Sequence, residues 1–572
     1  MKITLTHLTL YPVFQKVQSI SLPIIQVKKG AFLLGVALFL IVVSLLSAFT
    51  SRPAIKEEVI VYLQRPLEEK LVSAYFTNAA QRASLSAAFS EVYRTNNYEP
   101  LWWEGNAFSP GFDSLIIALK EAELEGLKPA TYHLSQLALA KTETGFFSNA
   151  PRLAEIDQLA TASYLLYAFH LYNGSITPSQ LDSNWHIKPK NLPLAYYLHT
   201  ALQQNTVRQS LADLSKVNPS YALLKQELAN LKALALQGGW KKLPTDSVLL
   251  KNDTGQVVQV LRQRLTITGD LDSTLSSGFI YDQQLIEAVQ KFQKRHGLPE
   301  HGKVDQRMVN ALNIPVETRI EQVILNLERM RWLTRENGKT RITVNIPNYK
   351  LTVWEQNEQL LEARVVVGKI ENTTPVFEDS LESIVFSPEW NVPFQIATKE
   401  ILPILQRNPA YLEKNNYQVY DSWNANAKPI NPYGVNWKAV NPANFKYRIV
   451  QKANKRNALG AVKFLFPNAL NIYIHDTPAK QLFNQNKRAY SHGCIRLENP
   501  GKLAACVLRN DSTWTQAKIQ EQMNTTQSSK VTLSEPVKVE IMYLTAFVED
   551  GILQFRDDIY GYDQSQLKTL ND

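Results

Sequence analysis

The chain has 572 residues, a net charge of +9, an ordinary globular composition with 45% hydrophobic and 20% charged residues, and only two cysteines. Its length exceeds what a single hydrophobic core can hold, so about three domains are expected. No cluster of lysine and arginine with interleaved aromatic residues stands out, which argues against a nucleic-acid partner. The modest basic charge suits an anionic polymer or a membrane face, although scattered solvated lysines are the simpler explanation.

The N-terminal segment predicts a membrane anchor. Residues 1–29 contain lysines and no acidic residue, and residues 30–51 are uncharged and rich in Leu, Val, Phe, Ile and Ala. A stretch of about 22 apolar residues can cross the hydrocarbon of a bilayer as a helix. The preceding lysines favour residues 1–29 as a cytoplasmic tail, so that everything after Arg52 lies outside. A cleaved signal peptide is the alternative. Residues 52–75 are interpreted as a linker.

Residues 76–245 are predicted to form a helical scaffold domain. Residues 112–122 are amphipathic, and residues 160–173 form a second apolar helix that stops at an Asn-Gly pair. Trp102 and Trp103 lie near a helix boundary, where a tryptophan either belongs to the core or stacks on a sugar ring. No residue of this region suggests chemistry.

Three short helices are predicted in residues 250–315. They present apolar side chains at helical spacing, and the sequence His-Gly-Leu-Pro at residues 296–299 breaks them. Phe292-Gln293 together with the Gly-Leu of that break resembles the peptidoglycan-binding domains. The alternative is a spacer that only packs on its neighbours. Because such modules also accompany zinc peptidases and amidases, the resemblance narrows the substrate and not the reaction.

A linking helix, residues 316–338, leads into a region of strands. Alternating apolar residues predict a β-rich domain over residues 339–512. Its first strands are expected at residues 341–346, 350–354, 363–368 and 383–386. A polar, asparagine-rich insertion with several prolines interrupts this domain at residues 397–443. Residues 513–572 are expected to pack on it as a C-terminal extension. The predicted fold class is therefore multidomain α+β.

The heptapeptide that begins at Ser491 concentrates the chemistry of the chain. It reads Ser-His-Gly-Cys-Ile-Arg-Leu and places Cys494 directly after Gly493. Cysteine attacks as the thiolate, and a free thiol with a pKa of about 8.5 needs a base at neutral pH. The alternating run at residues 470–474 predicts a strand that delivers the imidazole of His475 at its end. Gly493 permits a tight turn whose backbone N–H groups face a developing oxyanion. These groups indicate acyl transfer.

Three other interpretations stay open. Cys494 and Cys506 can form a disulfide in an oxidising compartment, although Cys506 lies in an apolar helical stretch where cysteine serves as a small hydrophobic residue. His475 and His492 can be ordinary histidines or two zinc ligands, but no His-Glu-x-x-His motif occurs. Residues 489–493 approach the Gly-x-Ser-x-Gly elbow of serine hydrolases without its first glycine. No cofactor and no metal is predicted.

At these residues the chain resembles the L,D-transpeptidase (YkuD-type) catalytic domain. The pattern of that family is a histidine, a gap, and then Ser/Thr-His-Gly-Cys with a tail that often contains arginine. Flanking segments look like the larger subgroup named after YcbB; they are residues 457–464, 466–468, 543–547 and 555–560. The resemblance implies that Cys494 is the acyl-accepting nucleophile and His475 its general base, with the N–H groups of Gly493 and Cys494 as oxyanion donors.

The resemblance also assigns supporting roles. Ser491 is interpreted as a turn residue, and His492 as supporting rather than essential, since members of the subgroup do not all carry histidine there. Arg496 either binds a substrate carboxylate or anchors the loop by an ion pair. In the resembling group, an insertion at the place of residues 397–443 caps the active site; an idle loop is the alternative.

The implied activity is the formation of 3→3 cross-links between peptidoglycan stem peptides through a cysteinyl thioester. The enzyme would be a single-pass protein of the inner membrane with its catalytic part in the periplasm, and carbapenems would acylate it. A hydrolytic L,D-carboxypeptidase shares every residue named and differs in letting water reach the thioester. A non-catalytic scaffold that binds the cell wall is the other alternative.

Overall fold

The computed structural model describes residues 52–66, 69–333, 340–356 and 358–571. The predicted cytoplasmic tail and membrane anchor, residues 1–51, lie outside these ranges. None of the described helices combines the length and the apolar character needed to cross a membrane. The described chain is a multidomain α+β protein, helical in its N-terminal part and β-rich in its C-terminal part.

The N-terminal part is built around one buried helix, Ala150–Asn173. This helix is apolar around most of its circumference, so nearly all its side chains are buried by surrounding helices. The side chain of Asn149 caps it by accepting a hydrogen bond from the Arg152 N–H. The other helices of this part are Arg52–Leu63, Glu69–Tyr75, Ala79–Thr95, Pro110–Lys120, Leu134–Ala140, Pro178–Leu181, Leu194–Gln203, Val207–Leu214 and Pro219–Leu236. Short 3₁₀ turns occupy Glu121–Glu125, Pro129–Tyr132 and Phe146–Ser148.

The tryptophan pair of the scaffold belongs to the core. Trp102 is fully buried and Trp103 nearly so. The indole N–H of Trp102 donates to Thr161 Oγ1 at 2.9 Å, and its backbone N–H donates to the carboxylate of Asp157 at 3.0 Å. Stacking of Trp102 on a sugar ring is therefore excluded in this conformation.

The three predicted short helices are present as Gln256–Ile267, Gln283–Arg295 and Gln306–Leu312. Their apolar faces meet in a separate small core. Asp282 and Asp305 cap the second and third helices by accepting backbone N–H groups of the first turn.

The linking helix Val316–Trp332 contacts the helical domain through the buried guanidinium of Arg331. Arg331 and Glu328 on this helix form an ion pair at 2.8 Å, and each side chain is about 1% exposed. Arg331 also donates to the Tyr221 hydroxyl at 3.0 Å and to the Glu125 carbonyl oxygen, both in the helical domain. Because a buried guanidinium needs all its donors paired, these contacts fix the helix against its neighbour.

Nine strands form the main sheet of the β-rich domain. They are Arg341–Asn345 (β1), Lys350–Glu355 (β2), Glu358–Gly368 (β3), Phe377–Phe386 (β4), Val462–Leu465 (β5), Ile474–His475 (β6), Ala489–Ser491 (β7), Ile495–Leu497 (β8) and Ser529–Met542 (β9). The spatial order is β7-β3-β8-β6-β5-β4-β9-β1-β2, and β2 also pairs with β3, so eight strands close into a circuit. The predicted strand over residues 470–474 is short, because only Ile474 and His475 lie in the ladder.

The insertion is a folded subdomain and not a loose loop. A second sheet, in the order Trp390–Asn391, Arg448–Gln451, Tyr417–Tyr420 and Pro429–Ile430, packs with helical segments over Phe394–Leu405 and Tyr411–Lys414 around a core of its own. This subdomain reaches beyond the predicted range 397–443 at both ends. The polar composition of the insertion hid this core from the sequence analysis. Most apolar side chains of the subdomain are separated in sequence and meet only after folding.

The C-terminal segment corrects one expectation. Residues 513–572 do more than pack on the β-rich domain, because β9 lies inside the main sheet, antiparallel to β4 and parallel to β1. A register irregularity next to Pro536 interrupts its alternation, since proline cannot donate to the ladder. The helices Pro500–Leu508, Gln516–Met523 and Tyr562–Asn571 and the hairpin of Ala546–Glu549 with Ile552–Phe555 complete the chain.

Candidate active site

Strand register brings the candidate side chains to one face of the sheet. Strand β6 pairs with β8 in parallel, with His475 opposite Arg496, and with β5 antiparallel, with Lys463 opposite His475. Directly opposite residues share a face, and residues two apart along a strand also share it. Tyr473 and Cys494 therefore join Lys463, His475 and Arg496 on this face. The opposite face belongs to the buried hydrophobic core.

Cys494 is a free thiol, and so is Cys506, which excludes the disulfide alternative. Cys506 lies in the helix Pro500–Leu508, packed against the edge of the domain core. The sulfur of Cys494 lies 3.7 Å from the carbonyl oxygen of Asn471, and the side chain of Tyr473 interacts with the thiol. Burial raises the pKa of the Cys494 thiol, whereas Tyr473 and nearby positive charges lower it.

His475 is buried and held by its own backbone. Its Nδ1 lies 2.5 Å from the carbonyl oxygen of Asp476, so Nδ1 carries the proton and Nε2 is the basic nitrogen. Burial, and after it the charge of Arg496, lowers the pKa of His475 to about 3, so the imidazole is neutral near neutral pH. Among the described contacts, none is a hydrogen bond between His475 and Cys494. The register explains this, since Cys494 precedes by two residues the position opposite His475.

The carboxylate of Asp476 fixes the loop beside His475. It accepts the Ala461 N–H at 2.8 Å and pairs with Lys480 at 2.5 Å. Gly460 adopts a φ of +62°, and an added Cβ there would lie 2.4 Å from the Asp476 carboxyl. Glycine is therefore required for the close approach that holds the imidazole-bearing strand end in place.

The turn before Cys494 is closed by side-chain hydrogen bonds. Ser491 Oγ donates to the carbonyl oxygen of Cys494 at 2.5 Å and accepts the Gly493 N–H at 3.2 Å, which is the geometry of a turn residue. Gly493 has a φ of +110°, a region that favours glycine. The Gly493 N–H, expected as an oxyanion donor, is thus occupied by Ser491 in this conformation.

Thr374 and Tyr560 brace this turn and were not identified from the sequence. Thr374 Oγ1 donates to the Gly493 carbonyl oxygen at 2.7 Å and accepts the Gly368 N–H at 2.8 Å. The Tyr560 hydroxyl donates to the Gly368 carbonyl oxygen at 2.6 Å and accepts the Thr374 N–H at 3.2 Å. Both residues lie more than sixty positions from Cys494, so only the folded sheet edge reveals them.

Two cations, Lys463 and Arg496, lie near Cys494 on the face of the sheet that carries Cys494 and His475, here called the active face. Neither Lys463 nor Arg496 forms an ion pair with any carboxylate of the described residues, and Arg496 Nε is buried without a hydrogen-bond partner. Burial lowers the pKa of each of these two cations, while the Cys494 thiol raises it. Anchoring of the loop by an Arg496 ion pair is therefore not seen among the described residues. Lys463 was not identified from the sequence, because only strand pairing places it here.

The inserted subdomain contacts the active face at two points. His492 Nε2 lies 2.6 Å from Glu400 Oε1, and both side chains are exposed. The side chain of Tyr473 interacts with Trp390 at the beginning of the insertion. In the part of the chain that the structure describes, no three His, Cys, Asp or Glu side chains are grouped so as to hold a metal ion.

Comparison with known families matches this architecture. The family described as "L,D-transpeptidase catalytic domain" (YkuD) matches residues 339–532, "Putative peptidoglycan binding domain" matches residues 254–312, and "Scaffold domain" matches residues 87–228. The chain thus carries a YkuD-type L,D-transpeptidase catalytic domain and a peptidoglycan-binding domain. The catalytic match ends at residue 532, within the first residues of β9.

One curated relative is a protein of Haemophilus influenzae named "Putative L,D-transpeptidase". It is 34% identical over 257 residues, which cover 44% of this chain and 50% of the relative, so the chain spans half the length of that relative. Two solved structures are more distant. An L,D-transpeptidase from Mycobacterium smegmatis is 12% identical, with 36% of this chain and 59% of that chain covered and a TM-score of 0.18. An L,D-transpeptidase (Yku) from Stackebrandtia nassauensis is 12% identical, with 53% and 97% covered and a TM-score of 0.22. At such TM-scores neither structure bears on function.

Proposed function

We propose that this protein is a peptidoglycan L,D-transpeptidase that forms 3→3 cross-links through a thioester on Cys494. The observation that carries the proposal is the surroundings of this free thiol. It lies beside Tyr473 and near two cations, Lys463 and Arg496, on the same face as a neutral buried imidazole, His475. A thiol in such a setting is suited to nucleophilic catalysis.

In the first half-reaction, the Cys494 sulfur attacks the carbonyl carbon at the L-centre of a stem-peptide diamino acid. A C–S bond forms and the C–N bond to the terminal D-residue breaks. His475 accepts the thiol proton at Nε2 and returns it to the leaving amine, a role that needs a neutral imidazole. The thiol and the imidazole must move into hydrogen-bond contact for this transfer, as catalytic hydrogen bonds often form only once substrate is bound. Arg496 offers its guanidinium to a carboxylate of the donor.

In the second half-reaction, an amine of a neighbouring stem attacks the thioester carbonyl. A new C–N bond forms, the amine loses its proton to the base, and the Cys494 thiolate leaves. Transfer competes with hydrolysis, because water attacks the same carbonyl. The inserted subdomain, which meets the active face through Glu400 and Trp390, would exclude water and so favour transfer.

The remaining parts suit a substrate that is a cell-wall polymer. The peptidoglycan-binding domain would hold the glycan strand while the catalytic domain works on its stems. We further propose that residues 30–51 anchor the protein in the inner membrane, with the catalytic part in the periplasm. Protease added to intact spheroplasts should digest the folded part, whereas digestion only after lysis would contradict this orientation.

The decisive experiment is incubation of purified protein with sacculi, followed by muropeptide analysis by mass spectrometry. Wild type should yield 3→3 cross-linked dimers, Cys494→Ala should yield none, and Cys506→Ala is the matched control that should retain activity. A carbapenem should add its mass to wild type and to Cys506→Ala but not to Cys494→Ala.

The products separate this proposal from its rivals. Trimmed tripeptides without dimers would identify a hydrolytic L,D-carboxypeptidase. Unchanged sacculi, with equal binding by wild type and Cys494→Ala and no carbapenem adduct, would identify a non-catalytic scaffold.

A further inference from the structure

Lys463 lies on β5, the strand next to the one that carries His475, and its side chain extends toward Cys494. Lys463 lies on β5 directly opposite His475, and its Nζ is 3.6 Å from the centroid of the Tyr473 ring. A cation over an aromatic face at this distance is attracted by the ring quadrupole. The same tyrosine lies directly opposite Cys494, one step before the pair of Ile474 with Ile495, and its side chain interacts with the thiol. An ammonium group, a ring and a sulfur atom therefore form a continuous series.

The charge of Lys463 has no nearby compensation. Within the described residues, no carboxylate pairs with its Nζ, and the charged residues two strands away in the same row, Arg496 on one side and Lys530 on the other, are both cations. The carboxylate of Asp476 is engaged by Ala461 and by Lys480. An uncompensated positive charge close to a thiol favours the thiolate over the thiol. The influence is mutual, since the Cys494 charge raises the pKa of Lys463 while burial lowers it.

The imidazole does not supply this stabilisation. His475 is neutral near neutral pH, and its Nδ1 is engaged by the Asp476 carbonyl oxygen. A neutral base removes the thiol proton but contributes no charge before it does so. Burial of Cys494 opposes ionisation, so a thiolate at this site needs a positive charge from another residue.

We propose that Lys463 is a positioning residue for the thiol: its ammonium group holds the Tyr473 ring so that the hydroxyl meets the Cys494 sulfur, and its charge stabilises the thiolate. This inference deepens the proposed function and rests on Cys494 as the nucleophile. It names no additional reactant, because Lys463 neither bonds to substrate nor transfers a proton.

The test is alkylation of Cys494 by iodoacetamide, which reacts with the thiolate whether or not the protein is a transpeptidase. The rate is followed on the Cys494 peptide by mass spectrometry from about pH 5 to about pH 10, so that Cys506 does not interfere. Lys463→Met should slow alkylation near pH 7 by about tenfold, since one pKa unit corresponds to a tenfold change in thiolate at a fixed pH. The midpoint of its pH profile should move upward accordingly. Lys463→Arg should restore most of the rate.

Lys530→Met is the matched control. Lys530 lies in the same row of the sheet as Lys463, because both are opposite Val385, but two strands away from it. Its removal should leave the pH profile unchanged. Tyr473→Phe keeps the ring and deletes only the hydroxyl, and it should also move the midpoint of the alkylation pH profile upward. If Lys463→Met does not fold, this variant still tests the contact between Tyr473 and Cys494.

A profile of Lys463→Met identical to wild type, at an unchanged melting temperature, would overturn the proposal. So would an arginine variant as slow as the methionine variant, because the charge would then be irrelevant. If the alkylation profiles behave as expected but wild type neither binds carbapenem nor produces dimers, the proposed function fails and the role of Lys463 stands.

Discussion

Cys494 lies opposite Tyr473, one step before the pair of Ile474 with Ile495 in the parallel ladder of β6 and β8. His475 is opposite Arg496 instead. The Cys494 thiol thus has the phenol of Tyr473 as its direct neighbour and the imidazole of His475 as a diagonal neighbour. The residue beside the sulfur is therefore not the residue proposed to accept its proton.

The pH dependence of acylation should report the thiol and not the imidazole. Burial raises the pKa of Cys494, so the carbapenem acylation rate should rise with pH through and beyond neutrality. His475, with a pKa of about 3, stays neutral over that range and should add no acidic limb. Rates measured from about pH 5 to about pH 10 check this expectation. A rate that falls as pH rises would contradict it.

Replacement of the imidazole should slow chemistry without unfolding the protein. His475→Ala should reduce carbapenem acylation by about 10²-fold, the range for loss of general-base help. His186→Ala, an exposed histidine outside the active face, should leave the rate unchanged. Stopped-flow acylation and thermal unfolding measure the two properties separately. An unaltered rate in His475→Ala would remove this residue from the mechanism.

The contact between the insertion and the cysteine turn should influence the fate of the thioester. His492→Ala and Glu400→Ala each remove the bridge, and since this pair is exposed its coupling should be only about 0.2–1 kcal/mol. Either change should raise the ratio of hydrolysed tripeptide to cross-linked dimer, and the double variant should add little. Glu413→Ala, whose hydrogen-bond partner Tyr433 lies within the insertion, is the control. Product ratios identical in all variants would argue against a capping role.

The glycine beside Asp476 should resist substitution. Gly460→Ala would place a Cβ 2.4 Å from the Asp476 carboxyl at a φ of +62°, so a cost of at least about 1–2 kcal/mol is expected. Because Asp476 is shifted by the clash, acylation should slow as well. Gly434→Ala, where no atom lies within 4 Å of the added Cβ, should change neither property. Urea unfolding and acylation rates together test this; equal stability of the two variants would show that the loop relaxes freely.

The buried ion pair of the linking helix should matter far more than surface pairs do. Arg331→Met leaves the Glu328 carboxylate buried without its cation, and such a loss costs about 3–5 kcal/mol. Arg152→Met breaks partly exposed pairs with Glu143 and Glu155 and should cost below about 1 kcal/mol. Chemical denaturation compares the two variants directly. Similar midpoints would mean that the interface between helix and scaffold repacks.

Local patterns in the sequence were enough to predict those elements that depend only on residues a few positions apart. Apolar periodicity, with the Asn-Gly stop and the His-Gly-Leu-Pro break, predicted the helix around residues 160–173 and the three short helices. The residues Ser491, Gly493 and Cys494 likewise indicate a turn on their own. The apolar alternation of β1 to β4 likewise predicted a β-rich domain. These features depend on neighbours a few residues apart, so the sequence carries them directly.

The arrangement of the active face was decided by tertiary structure. Lys463, Tyr473 and Arg496 meet Cys494 only because β5, β6 and β8 pair in one particular register, and a shift of one residue would turn these side chains to the other face. Strand register is set by contacts between segments that are distant in sequence, such as the pairing of β9 with β4. For the same reason the insertion, polar when taken residue by residue, acquires a core only when its separated apolar side chains come together.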